Sequence, residues 1–365
     1  MQWILNQGID MFRDCHPERS AQHVVEGSGN AVLQVQNLSV AFGFDKNGKP
    51  REGMKPLQVT DKVSFEINPG EFFALVGESG CGKSVTAMSI LRLLPQPSAQ
   101  IVEGSVFYKE SSDSAPIDLA KLPLADLRKV RGSEIACIFQ EPMQALNPVV
   151  TIKKQLMEVF KFCKRSKGGF MTVIREQLAL AGFKDINRVL NSYPHELSGG
   201  MLQRVCIVMA LLSKPKLIIA DEPTTALDVT VQAQVLAVLK EMANRTGTAV
   251  LLITHNMGIV SQYADRVAVM YAGRIVETGA VRDVIDAPMH PYTQGLLAAI
   301  PENHCDMRTM KSIPGSVPHP RDFAKGCRFA DRCEKCTEQC RSEVVPPKQK
   351  ASGSSNHEAN CFMIY

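Results

Sequence analysis

The apolar positions of this chain follow two periods. Across VSFEI (63–67), Val63, Phe65 and Ile67 alternate with Ser64 and Glu66, the period of a strand with one buried face. DKNGKP (45–50) carries an Asn-Gly turn signal ahead of it, and NPG, Asn68 to Gly70, ends it with another. Three further runs, FFALV (72–76), LIIA (217–220) and AVLLIT (249–254), are apolar throughout. Such runs suit strands of a parallel sheet covered by helices on both faces. Between them lie longer helical stretches such as VQAQVLAVLKEMANRTG (231–247), closed by a glycine. Strands alternating with helices predict an α/β fold. The segment from Pro142 to Tyr193 lacks strand signals and reads as helical. Beyond His290 the composition changes to the Pro-rich IPGSVPHPRDF (313–323) and then to a cysteine-dense tail, which marks a boundary near residue 290. Residues 1 to 30 are polar and aperiodic. The expected division is an extension over 1–32, a main domain over 33–290 with a helical subdomain at 142–200, and a C-terminal region over 291–365.

The composition is that of a globular protein: 45% hydrophobic and 21% charged over 365 residues. A net charge of +4 supplies no strong field for nucleic acid or an anionic membrane. No apolar run approaches the roughly 18 residues needed to span a bilayer. The leading MQWILNQGIDMFRDCHPERS lacks the layout of a secretory signal, so a cytosolic location is expected. Of the 11 cysteines, Cys15, Cys81, Cys137, Cys163, Cys206 and Cys305 are scattered, while Cys327, Cys333, Cys336, Cys340 and Cys361 cluster. Clustering in a cytosolic chain points to a metal rather than to disulfides.

The chemistry concentrates in GESGCGKS, Gly77 to Ser84, which fits G-x-x-x-x-G-K-S between the strand FFALV and a helical run. Glycines at 77, 80 and 82 let successive amides face one point, and the helix starting near Lys83 adds its positive end. Lys83 supplies a charge for the β- and γ-phosphates, and Ser84 a hydroxyl for Mg²⁺. Ser79, Cys81 and Val85 complete the candidate nucleotide-binding set. Lys83 and the loop's amides should also acidify the Cys81 thiol and make it sensitive to thiol reagents, unless it is buried and inert. LIIADEP (217–223) ends a strand in two carboxylates. Beside a phosphate loop, Asp221 is suited to hold Mg²⁺ and Glu222 to act as general base on the attacking water, although an acidic pair can also merely cap a helix.

Four more stretches fix the class: IFQEP with Gln140, LSGGMLQR (197–204), ALD (226–228), and LLITHN with His255. In this order, with the phosphate loop and the acidic pair, they resemble the nucleotide-binding subunits of ABC transporters over residues 33–290. The resemblance implies a P-loop ABC fold: a parallel sheet core, an antiparallel β edge and a helical subdomain. It implies that Ser198, Gly199 and Gly200 form the signature loop that closes on ATP held by an opposite subunit. Gln140 would reach Mg²⁺ and water and sense the membrane partner, His255 would contact the γ-phosphate, and Asp228 would lie at the dimer seam. Phe42 is placed to stack on adenine, though a core phenylalanine fits there as well. QEPMQALNP (140–148), DEPTTALDVTVQAQ (221–234), HPYTQGLLAAIP (290–301) and IPGSVP (313–318) look like the ATPases of oligopeptide and dipeptide importers. Nickel importers share much of this pattern. The implied partners are two transmembrane permeases, a second ATPase subunit (sister or self) and, indirectly, a solute-binding protein, at the cytoplasmic face of the inner membrane and without nucleic acid. A non-transport ABC ATPase usually carries a coiled-coil insertion or two cassettes, and LSGGMLQR argues against a P-loop kinase.

The tail spacing is Cys327-x5-Cys333-x6-Cys340-x20-Cys361, with Cys336 extra. It resembles the tail of the same importer ATPases, in which four cysteines hold a [4Fe-4S] cluster; the implied ligands are Cys327, Cys333, Cys340 and Cys361. That group usually has proline after the second cysteine, where this chain has Glu334. Cys333 and Cys336 could instead form half of a zinc site, and unliganded thiols are the third reading. The expected role is structural, pinning a region with little core of its own.

Overall fold

β3 (Phe72–Val76), the FFALV run, is buried at all five positions because both of its faces are covered. It lies parallel to β8 (Ala249–Thr254) on one side and β9 (Arg266–Tyr271) on the other. β7 (Leu217–Asp221) and β6 (Ile135–Ile138) extend the parallel part beyond β8. The complete sheet has eight strands in the order β11-β12-β10-β9-β3-β8-β7-β6. β10 (Arg274–Ala280), β12 (Glu358–Asn360) and β11 (Lys348–Lys350) join antiparallel at one edge. A second, antiparallel sheet has the order β2-β1-β4-β5, with β1 (Leu33–Phe42), β2 (Leu57–Ile67), β4 (Ala99–Tyr108) and β5 (Ile117–Asp118). This computed structural model describes residues 29–162, 169–225, 227–300, 313–351 and 356–363. Most of the expected N-terminal extension, Ala226 of the ALD stretch and the 301–312 segment with Cys305 lie outside the described residues.

The period-2 rule sorts the parallel strands into two cores. Ile218, Ala220, Val250 and Leu252 face a helical layer. Leu217, Ile219, Leu251 and Ile253 face the antiparallel sheet, against Val35, Val63, Phe65 and Val106. Full burial of each such aliphatic side chain is worth about 1.5–3 kcal/mol, so the continuous apolar runs stabilise both layers at once.

The helices follow chain order: α1 (Lys83–Ile90), α2 (Leu124–Val130), α3 (Pro142–Ala145), α4 (Ile152–Phe162), α5 (Phe170–Leu180), α6 (Ile186–Asn191), α7 (Gly199–Leu211), α8 (Val229–Thr246), α9 (Met257–Tyr263), α10 (Val281–Asp286), α11 (Pro291–Ala298) and α12 (Glu338–Arg341). The segment from α3 to α6 is helical, as its lack of strand signals suggests, and α7 carries it back to β7. Gly247 (φ +67°) ends α8 in the left-handed conformation that a C-terminal glycine permits.

The tail is fastened to the main sheet. β12 pairs with β10, and the side chain of Glu277 on β10 is fully buried. Its carboxylate accepts the amides of Met289 and His290 at 2.8 Å each and lies 2.8 Å from His357 Nε2. Tyr271, Tyr292 and Phe329 form an aromatic cluster with centroids 4.6, 5.1 and 5.3 Å apart, joining β9, α11 and the cysteine region.

Candidate active site

The loop from Gly77 to Gly82 leaves β3 and enters α1. A Cβ on Gly77 would lie 2.2 Å from the Met270 carbonyl oxygen, so the chain can pass β9 only as glycine. Gly82 has φ +107°, a conformation closed to most side chains. Lys83 is buried, and its Nζ donates to the carbonyls of Gly77 (2.8 Å) and Glu78 (3.0 Å), which hold the ammonium over the loop. Ser79, Gly80 and Ser84 are exposed, and Val85 is half-buried against the core.

Cys81 departs from its expectation. Its side chain points inward and is 1% exposed. Burial raises its pKa, outweighing the pull of Lys83 Nζ at 3.9 Å. The thiol is therefore a poor nucleophile, and the buried, inert alternative describes it.

Ser84 Oγ donates to Asp221 Oδ1 at 3.0 Å, tying the start of α1 to the end of β7. Burial raises the Asp221 pKa, partly opposed by that hydrogen bond. A cation at this pair would relieve the burial. Glu222 follows with φ +43°, strained for a residue with a Cβ and held by its amide's bond to the Ile253 carbonyl. Burial pushes its carboxyl up, but Thr225 Oγ1 (2.7 Å to Oε2) and His255 Nδ1 (3.4 Å from Oε1) together hold it below the usual range. Thr225 is a site residue the motif reading missed; its signal is the threonine pair that follows DEP. Gln140, exposed, follows β6. The loops after β3, β6, β7 and β8 thus bring the phosphate loop, Gln140, the acidic pair and His255 to the carboxyl ends of parallel strands, where open α/β sheets bind ligands.

Ser198 caps α7 and accepts from the Met201 amide at 3.4 Å. A Cβ on Gly200 would meet Val231 Cγ1 at 2.4 Å, so this glycine allows α7 to approach α8 closely. Asp228 caps α8 through the Val231 amide at 2.9 Å. Among the described residues, no hydrogen bond or ion pair joins Ser198, Gly199 or Gly200 to the phosphate loop of the same chain. Phe42 ends β1, half-buried against the core between Leu57 and Ala99.

In the tail, Cys340 and Cys361 are buried, and Cys327 and Cys333 are half-buried against the aromatic cluster. Burial raises Cys327 to about 11, and Cys333, Cys340 and Cys361 push it the same way. Cys333 feels Cys340 and Cys361, and Cys361 feels Cys340. Each of the four implied ligands is therefore within electrostatic reach of the other three. Cys336 also acts on Cys333, more strongly than Cys340 does, and lies beside Arg341. The Met363 amide donates to Cys361 Sγ at 3.4 Å. Among the described residues, no group of three or more His, Cys, Asp or Glu side chains is placed to hold a metal ion.

The strand order, phosphate loop and acidic pair define a P-loop ATPase of the ABC cassette type. Residues 60–225 match the ABC transporter family, and residues 276–340 match the family described as oligopeptide/dipeptide transporter, C-terminal region. The chain is 45% identical to the oligopeptide transport ATP-binding protein AppD of Bacillus subtilis, over 92% of this chain and 97% of that one. It is 43% identical to the dipeptide transport ATP-binding protein DppD of the same organism, over 91% and 94%. Among solved structures it is similar to the ATP-binding cassette MJ0796, seen as a dimer in a post-hydrolysis state with ADP and Pi (TM-score 0.57, 26% identity, 68% of this chain and 99% of that one). The chain belongs to the ATP-binding subunits of ABC transporters, in the oligopeptide/dipeptide branch. Membership of that family implies membrane permease partners and a paired ATPase. None of the described helices is long and apolar enough to cross a membrane.

Proposed function

We propose that this chain hydrolyses ATP to power import of oligopeptides or dipeptides, docked on two permeases at the cytoplasmic face of the inner membrane. The observation that carries this reading is the convergence of Lys83, Ser84, Asp221, Glu222 and His255 at the carboxyl ends of the parallel strands, in a chain similar to peptide-transport ATPases along nearly its whole length. The loop amides from Ser79 to Val85 and the N-terminus of α1 cradle the phosphates, Lys83 swings from its two carbonyls to the β- and γ-oxygens, and Phe42 flanks the adenine. Ser84, Asp221 and Gln140 would hold Mg²⁺, which would supply positive charge to the phosphates. Glu222, held ionised and aimed by Thr225 and His255, takes a proton from water as the water oxygen bonds to the γ-phosphorus. The bond from that phosphorus to the β–γ bridging oxygen breaks, and ADP leaves. His255 steadies the γ-phosphate, and Ser198, Gly199 and Gly200 of a partner cassette complete the site.

The cysteine lobe is read as the seat of a [4Fe-4S] cluster on Cys327, Cys333, Cys340 and Cys361. Soft thiolates suit iron-sulfur clusters, and hydrogen bonds to the sulfurs, such as that of the Met363 amide to Cys361, tune them. What supports the cluster over zinc is the spacing of these four cysteines, which resembles the tail of the peptide-importer ATPases. Such a group would cross-link a lobe short of core.

The direct test reconstitutes the chain with its two permeases, second ATPase and binding protein in vesicles. Dipeptide or oligopeptide should stimulate ATP hydrolysis and accumulate inside. Stimulation by Ni²⁺ with none by peptide would move the chain to the nickel importers. Anaerobic purification followed by iron, acid-labile sulfide and zinc assays tests the lobe: four iron per chain is expected, and one zinc without iron refutes the cluster.

A further inference from the structure

Arg332 immediately precedes Cys333, and its side chain is 7% exposed. Its guanidinium leaves the cysteine lobe. Nη1 and Nη2 donate to the two carboxylate oxygens of Glu78 at 2.7 and 2.9 Å, across 254 residues of sequence. Glu78 is the second residue of the phosphate loop. Its amide donates to the Tyr292 hydroxyl at 2.9 Å, and its carbonyl is one of the two that hold Lys83. The lobe aims the guanidinium closely: Nε donates to the Pro314 carbonyl at 2.7 Å, Nη2 also to Gly315 O at 3.3 Å, and the cation lies over the rings of Tyr271 and Phe329. The neighbouring Arg328, just after Cys327, pairs with Asp61 on β2 at 2.7 Å. Two arginines flanking the cysteines thus fasten the lobe to the cassette, one of them inside the phosphate loop.

We propose that Arg332 is a positioning residue for ATP: through it the cysteine lobe fixes Glu78 and cancels the negative charge that Glu78 brings into the phosphate loop. A two-pronged guanidinium–carboxylate pair sets orientation as well as charge. Without it, a free carboxylate would share the loop with an incoming triphosphate and repel it. The carbonyl that holds Lys83 would also lose its anchor. The penalty falls on nucleotide binding, because neither Arg332 nor the Glu78 carboxylate touches the reacting atoms. The inference rests on the phosphate site proposed above.

The test is a double-mutant cycle in the assembled transporter. Arg332→Met should raise the KM for ATP about tenfold while kcat stays within about twofold, the pattern of lost uniform binding. In a Glu78→Gln background the same substitution should change KM by less than about twofold, since the charge it balanced is gone. Arg332→Lys keeps the charge but one prong only, and should raise KM about threefold. Kd values from titration of the purified full chain with a fluorescent ATP analogue should move in parallel. An equal rise in both backgrounds would mean that Arg332 acts through general damage to the lobe, and no rise would mean no coupling; either overturns the proposal. If Arg332→Met does not yield folded protein, Arg332→Lys in the two backgrounds carries the same comparison. Failure of the unmodified chain to bind the analogue would instead overturn the phosphate site itself, and this inference with it.

Discussion

The general base proposed at Glu222 must be both ionised and aimed, and one neighbour does much of both. Thr225 Oγ1 bonds one carboxylate oxygen at 2.7 Å, and His255 lies near the other. Burial alone would raise the carboxyl; these partners, with the charge of Lys83, reverse the sign and hold it low. Thr225→Val removes a stabiliser of the ionised form, so the Glu222 pKa rises. Because the base works deprotonated, the acid limb of the kcat–pH profile should move to higher pH, with kcat at neutral pH down about tenfold, a common scale for one charge-assisted hydrogen bond. An unchanged acid limb would mean that Thr225 does not tune the base. The acidic pair itself was legible in the sequence, since an apolar strand ending in two carboxylates beside a phosphate loop has few other uses. The left-handed backbone of Glu222 and its threonine partner were not, because they depend on how the chain turns after β7. Cys81 shows the same limit from the other side. Lys83 does pull the thiol's pKa down, but which way the thiol faces is set by packing, with Cys81 Sγ against Gly77, and there desolvation outweighs Lys83.

At the scale of elements, hydrophobic period was enough for β3, β7, β8 and α8, whose runs are long and apolar. It could not reveal β11 and β12, three residues each and largely polar (KQK and EAN). Those strands exist because β10 offers them an edge and because Glu277 ties α11 and the last strand to it. The Glu277 carboxylate serves two amides and an imidazole, and its side chain is fully buried. Glu277→Ala would leave those partners buried and unpaired. The expected loss is about 3–5 kcal/mol of unfolding free energy, as for breaking a buried pair from one side. A urea titration reads it as a lower midpoint, and limited proteolysis should then cut the tail between 343 and 351 first. A midpoint unchanged within error would show that the lobe does not depend on this junction.

At the scale of the molecule, the proposed function has one chain hold two halves of different sites. The phosphate loop and Glu222 sit on the parallel sheet, while Ser198 starts α7 at the end of the helical segment, without a hydrogen bond to the phosphate loop. In the proposed dimer, the N-terminus of α7, with its exposed serine, would receive an anion, and a partner's γ-phosphate is the anion such an assembly would supply. Glu222→Gln should trap bound ATP by blocking turnover, so cassettes carrying it should associate on adding ATP, seen as earlier elution in gel filtration. Ser198→Arg in that background should abolish the association, because a bulky cation at the start of α7 fills the space the phosphate needs. In the otherwise unmodified chain it should lower kcat by about 10²–10³-fold, the scale of a lost transition-state donor. The Kd for a fluorescent ATP analogue at the chain's own phosphate loop should meanwhile stay within about threefold, since no ground-state contact in cis is removed. If the substitution instead weakens ATP binding in cis while leaving association intact, Ser198 serves its own nucleotide, and the two-chain site is wrong. Where the two cassettes of the transporter differ, the same substitution silences the site that lies across from it, so mutating one partner at a time shows which chain lends which half.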